Sequence, residues 1–136
     1  MNLQSYIIIS ILFLTSFSCT KENISAIEEE DCMETQRAYV GGINSPSTGK
    51  VNEIIDIDVY FGVYNGCGGF SKFITTTTGN TKTIGLEVVY AGCLCYQNAP
   101  LLAETYEFKA TESGIYYLNF ISSPETVITA TLTITK

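Results

Sequence analysis

The chain contains no histidine and no tryptophan, and only 15% of its 136 residues are charged. Without histidine, Ser-His-Asp and Cys-His catalysis, imidazole metal ligation and a titration switch near neutrality all fall away. Basic residues are scarce as well: 7 Lys+Arg stand against 14 Asp+Glu, for a net charge of −7. Phosphate binding needs clustered Lys and Arg, so this balance argues against a nucleic-acid partner. Long apolar runs are also missing. The longest begins at Ile7 and falls short of the roughly 18 apolar residues that a membrane-crossing helix needs.

The same run fits a different role. Ile7 to Leu14 continues through Thr15-Ser16-Phe17-Ser18 to Cys19, and every charged side chain of the chain follows that cysteine. This is the length and polarity of a signal-peptide core. Leu14-Thr15-Ser16-Phe17-Ser18-Cys19 resembles a bacterial lipobox, with Ser16 where the usual motif has Leu. The resemblance implies cleavage before Cys19 and lipidation of its thiol, and two or more acyl chains give stable membrane anchoring. Thr20-Lys21-Glu22 resembles the Lys-acidic signal that sends some lipoproteins to the outer face of the outer membrane. The expected organisation is a lipoprotein signal peptide over 1–18, an acidic tether over 19–34 and a folded domain over 35–136. Glu28-Glu29-Glu30-Asp31 makes the tether acidic, so it repels an anionic surface.

Four further cysteines, Cys32, Cys67, Cys93 and Cys95, remain after the lipid cysteine. An even number in an exported chain points to two disulfides. Bridging Cys93 to Cys95 across one residue strains disulfide geometry. Cys67 is therefore expected to pair with one of the two and Cys32 with the other, in either combination. No metal site or cofactor is expected.

The body of the chain alternates. Val51, Ile55, Ile57, Val59, Phe61 and Val63 share one parity, and Asn52, Asp56, Asp58, Tyr60 and Tyr64 take the other. Successive side chains of a strand point to opposite faces, so this spacing predicts a half-buried strand. The same holds for Ile84, Leu86, Val88 and Tyr90, for Tyr106, Phe108 and Ala110, and for Tyr116, Leu118 and Phe120. Ile128, Ala130, Leu132 and Ile134 form the last inward series, with Thr129, Thr131, Thr133 and Thr135 outward. Arg37 to Gly41 and Phe70 to Thr78 add two more strands. Turn residues separate the runs, at Asn65-Gly66, Gly79-Asn80 and Ser113-Gly114 among others. The expectation is an all-β, seven-stranded antiparallel sandwich.

Glu112-Ser113-Gly114-Ile115-Tyr116-Tyr117-Leu118 resembles the immunoglobulin Asp-Ser-Gly-x-Tyr-x-Cys corner, with Tyr116 at the corner position. The resemblance implies an immunoglobulin-like sandwich in which the Tyr116 hydroxyl bonds back to nearby backbone. Asn65-Gly66-Cys67-Gly68 with Gly92-Cys93-Leu94-Cys95 is similar to small bacterial lipoproteins with immunoglobulin-like domains, a group that implies no particular activity.

No catalytic residue is expected. Asp56 and Asp58 sit two apart on a solvent face, and acid–base work would need environments that split their pKa values. The outward tyrosines Tyr60, Tyr64 and Tyr117 are the candidate binding surface, because Tyr offers contact area at low entropy cost. Asn44-Ser45-Pro46-Ser47-Thr48-Gly49 is loosely similar to the first loop of chagasin-type cysteine-protease inhibitors. Gly66-Cys67-Gly68-Gly69 and Ser122-Ser123-Pro124-Glu125 would then supply the other two loops, at one end of the sandwich. The functional expectation is a surface lipoprotein acting as a binding or accessory module for a glycan or protein ligand. The alternatives are a chagasin-like inhibitor or a structural subunit of an outer-membrane complex.

Overall fold

Nearly every run of alternating residues becomes a strand with its apolar side turned inward. The computed structural model describes residues 32–136. The expected signal peptide, the expected lipidation site Cys19 and the expected tether as far as residue 31 lie outside the described residues. The strands are β1 (Met33–Ala38), β2 (Val40–Asn44), β3 (Thr48–Lys50), β4 (Ile54–Gly62), β5 (Gly68–Thr78), β6 (Thr81–Ala91), β7 (Leu101–Lys109), β8 (Gly114–Ile121) and β9 (Val127–Thr135).

They form two sheets packed face to face. β2, β4 and β7 make a three-stranded antiparallel sheet in the order β2-β4-β7. The other sheet runs β1-β6-β8-β9-β3, with β5 paired along the second side of β6. Between the sheets lie the predicted inward residues. Ile57, Val59, Phe61, Ile84, Val88, Leu118, Phe120 and Leu132 have no accessible surface. Each such side chain contributes roughly 1.5–3 kcal/mol over its exposed state.

An aromatic chain crosses this core. Phe70 and Phe73 lie 4.8 Å apart between ring centres, Phe73 meets the edge of Tyr106 at 5.3 Å, and Tyr106 meets Phe120 at 5.6 Å. Tyr106 comes from one sheet and its partners from the other. Its hydroxyl shares a hydrogen bond with Thr75 Oγ1 at 3.3 Å, so the polar end of the ring is satisfied. Phe70 and Phe73 differ in parity, yet both pack on the core. A register shift between Phe70 and Lys72 explains this: the extra residue, Ser71, turns the strand over between them.

Nine strands are present among the described residues where seven were expected, and not every pair is antiparallel. The run from Arg37 to Gly41 splits at Tyr39, because the chain there leaves β6 of the larger sheet for β4 of the smaller. Ala38 and Val40 both face the core, so the period of two continues across the break and hides it. The second addition is β3, three residues within a segment that reads as a turn. It lies parallel to the end of β9, with Gly49 opposite Ile134. A short parallel pairing also joins β6 to β8, from Thr81–Tyr117 to Ile84–Phe120. Part of the expected tether belongs to the sheet, since Met33 and Glu34 pair with Ala91 and Tyr90.

Candidate functional site

Both expected disulfides form, and the open pairing resolves as Cys32–Cys93 and Cys67–Cys95, with Cα atoms 4.9 and 5.4 Å apart. All four cysteines gather at one end of the sandwich. There β6 runs out, and the Gly92 amide donates to the Cys32 carbonyl at 3.0 Å. The Gly66 amide donates to the Tyr96 carbonyl at 2.8 Å, and Asn65 closes its own turn by accepting from the Cys67 amide at 2.9 Å. Leu94 therefore stands between two cysteines that are tied to different parts of the chain.

The three candidate tyrosines do not share a surface. Tyr60 alternates with the buried Val59 and Phe61 on β4, so it points outward from the smaller sheet. Tyr117 alternates with Tyr116 and Leu118 on β8 and points outward from the larger sheet, on the opposite side of the molecule. Tyr64 lies at the cysteine end, where its ring stacks on Tyr90 at 3.9 Å and its amide donates to the Tyr90 hydroxyl at 3.1 Å. Its own hydroxyl reaches Glu34 Oε2 at 3.5 Å. Loss of hydration, and then the Glu34 charge, raise the Tyr64 hydroxyl above its ordinary value of 10.0.

Nor are the three inhibitor-like segments at one end. Ser122–Glu125 joins β8 to the start of β9, whereas Thr48–Lys50 pairs with Thr133–Thr135 at its finish. A strand rises about 3.3 Å per residue, which puts these two segments on the order of 20 Å apart. Gly66–Gly69 lies at the cysteine end, beside Val89 and Tyr90. Asp56 and Asp58 stay on the outer face of β4, and Asp58 accepts from Asn44 Nδ2 at 3.2 Å. Among the described residues no group of three or more His, Cys, Asp or Glu is arranged to hold a metal ion.

What the strand order does build is a cleft. One side of β6 changes neighbours along its length: β8 pairs it as far as Ile84, and β1 takes over from Leu86. Gly85 lies at the change. The two replacing strands meet end to end, and each turns away, β1 through Tyr39 and β8 through Ile121. The opening that results holds about 370 Å³, within the size range of small-ligand sites. Arg37, Tyr39, Ile74, Thr76, Ile121 and Pro124 are among its walls, and Gly85 lies in its floor.

The cleft mixes apolar and polar groups. Tyr39 is 47% exposed and Ile74 41%. Glu87 lies opposite Arg37 in register, but its carboxylate is held by Lys72 Nζ at 3.1 Å and by the Ser71 hydroxyl at 3.1 Å. Arg37 thus has no ion-pair partner among the described residues. The alternation of β6 carried one signal for this site: Gly85 interrupts a strand interior, which marks a bend or a close approach of something else to the backbone. Tyr39 and Pro124 carry no such signal, because only the tertiary fold brings them together.

No family model matches the chain, and no curated protein or solved structure is significantly similar to it.

Proposed function

We propose that this chain is a cell-surface lipoprotein, anchored through Cys19, whose sandwich domain is a non-catalytic binding module. The observation that carries the binding role is the cleft at the exchange of β8 for β1 beside β6. It offers an exposed Tyr ring, apolar walls and a guanidinium with no ion-pair partner among the described residues, around a floor that carries glycine. Sugars and peptide side chains both present an apolar face and hydrogen-bonding edges, which suit such a mixture. A glycan or a protein segment on the cell exterior is the ligand class that follows.

An immunoglobulin-like type for the sandwich is part of the same reading. It is supported by the Tyr116 hydroxyl, which donates to the Glu112 carbonyl at 3.0 Å, and by the order β2-β4-β7 in the smaller sheet. The parallel neighbours β6 and β8 depart from the antiparallel pattern of that class.

Two experiments test the proposal. Protease treatment of intact cells, with a lipid label followed in the wild type and in Cys19→Ala, reads the anchor and its exposure. Labelled protein that is shaved from cells supports a surface lipoprotein, and absence of label in the wild type overturns it. Glycan and surface-protein binding screens then compare the wild type with Tyr39→Ala and Gly85→Leu. Binding that both variants weaken about tenfold or more, roughly 1.4 kcal/mol, supports the cleft. A ligand bound equally well by both variants overturns its role.

A further inference from the structure

The cysteine end differs in chemistry from the rest of the domain. From Val59 to Ser71 and from Val88 to Ala103 no residue is charged, in a chain whose net charge is −7. These two stretches build most of that end, and Glu34 lies beside it, opposite Tyr90 in register. The side chains there are apolar and protrude: Leu94 is 96% exposed, Tyr96 87%, Leu101 71% and Met33 60%. They are the four most exposed large apolar side chains among the described residues, and such groups gathered at one end mark an interaction site.

Shape narrows the partner. Leu94 stands at the apex of a loop whose two flanking cysteines are bonded to different elements, so it cannot fold back onto the core. The tip protrudes and is fixed in advance by its two flanking disulfides, which lowers the ordering cost of binding. A lipid surface receives a protruding Leu without needing a complementary cavity. Tyr96 beside it has an apolar ring and a polar hydroxyl, the combination enriched where membranes meet water.

Placement points the same way. The described chain begins at Cys32, which is bonded to Cys93, next to Leu94. The chain toward Cys19 therefore leaves from this end, and with 12 residues between them Cys19 and Cys32 can lie at most about 45 Å apart. We propose that the Cys93–Tyr96 loop is a membrane-contacting tip, with Leu94 and Tyr96 inserting into the interface of the lipid surface that holds the anchor. This rests on the lipoprotein reading. It adds a second attachment and sets the domain on the membrane by its cysteine end.

The chain has no tryptophan, so one introduced residue reports alone. Full-length protein is purified with Leu94→Trp, or with Tyr117→Trp on the outer face of the larger sheet, and acylation of Cys19 is measured by mass. Each variant is placed on phosphatidylcholine vesicles, because Glu28-Glu29-Glu30-Asp31 opposes an anionic surface. Brominated phosphatidylcholine is expected to quench the Leu94→Trp emission severalfold, with a shift to the blue, and to leave Tyr117→Trp unchanged. Acylated protein in which neither variant is quenched overturns the tip and leaves the anchor standing. Equal quenching of both means that the domain lies on its side, and also overturns the tip. A blue shift without quenching assigns the loop to a contact with a second copy of the chain instead. Protein without acylation removes the anchor reading; quenching of Leu94→Trp then still supports a lipid-binding loop, and its absence overturns it.

Discussion

Tyr116 donates its hydroxyl to the carbonyl of Glu112 at 3.0 Å, closing the turn that leads the chain into β8. The ring packs against Phe108 from the other sheet at 5.3 Å, so one side chain joins a turn, a strand and the facing sheet. Tyr116→Phe keeps the ring and deletes only the hydroxyl. A net hydrogen bond contributes about 0.5–1.5 kcal/mol. The variant is expected to melt about 4–8 °C lower per kcal/mol lost, read by circular dichroism. An unchanged melting temperature would show that the corner adds nothing to stability.

Two glycines should respond with opposite sign to the same substitution. A Cβ at Gly68 would stand 2.5 Å from Val63 Cβ and 2.7 Å from the Tyr90 ring, and both of those side chains are buried. Gly68→Ala is expected to destabilise by about 1–3 kcal/mol through overpacking. At Gly85 the nearest atoms, Ile121 Cδ1 and the Ile74 carbonyl oxygen, are 3.7 Å away. Gly85→Ala therefore fits, and by restricting the unfolded chain it should stabilise by about 0.4–1 kcal/mol. Urea unfolding of both variants checks the pair, and loss of stability in Gly85→Ala would show that the cleft floor is tighter than its geometry implies.

Those two positions also mark the limit of what the sequence discloses. Alternation placed Ile57, Phe61, Leu86, Val88, Phe120 and Leu132 inside, because a half-buried strand writes its two faces at a period of two. The same period hides anything that preserves parity. Ala38 and Val40 both face inward although they belong to different sheets, so the crossing at Tyr39 leaves no trace in the pattern. The bulge at Ser71 breaks parity between Phe70 and Phe73 and makes a correct register unreadable without the partner strand. The cleft is less legible still. Its walls come from β1, β5, β6 and the turn after β8, and only strand order decides that these meet. The tyrosine corner was readable because all its parts lie within a few residues of one another.

The pairing of the cysteines is a covalent prediction. Peptide mapping without reduction should recover Cys32 with Cys93 and Cys67 with Cys95, across sequence separations of 61 and 28. The crossed pairing, Cys32 with Cys95 and Cys67 with Cys93, would contradict the structure. In the chain-entropy account, removing each pair by double Cys→Ser substitution costs about 4 kcal/mol for the longer loop and about 3.5 for the shorter. Equilibrium unfolding of the two double variants gives both numbers. A negligible loss in either would mean that backbone pairing alone holds the cysteine end.

Alkaline titration tests the contact between Tyr64 and Glu34. The Tyr64 hydroxyl is raised above 10.0, first by loss of hydration beside Tyr90 and next by the Glu34 charge, which it meets at 3.5 Å. A group that holds its proton more tightly in the folded state favours folding less once the unfolded chain has released that proton. Stability from this site is therefore fully present below pH 10.0 and falls as pH rises through the higher folded value. The chain has 9 Tyr, so the phenolate absorbance of Tyr64→Phe must be subtracted from that of the wild type to isolate the one group. Glu34→Gln removes the carboxylate charge but not the loss of hydration. It is expected to lower the Tyr64 titration part of the way toward its ordinary value and to soften the alkaline fall in stability. A titration that stays in place, or moves upward, would show that Glu34 does not act on this hydroxyl in solution.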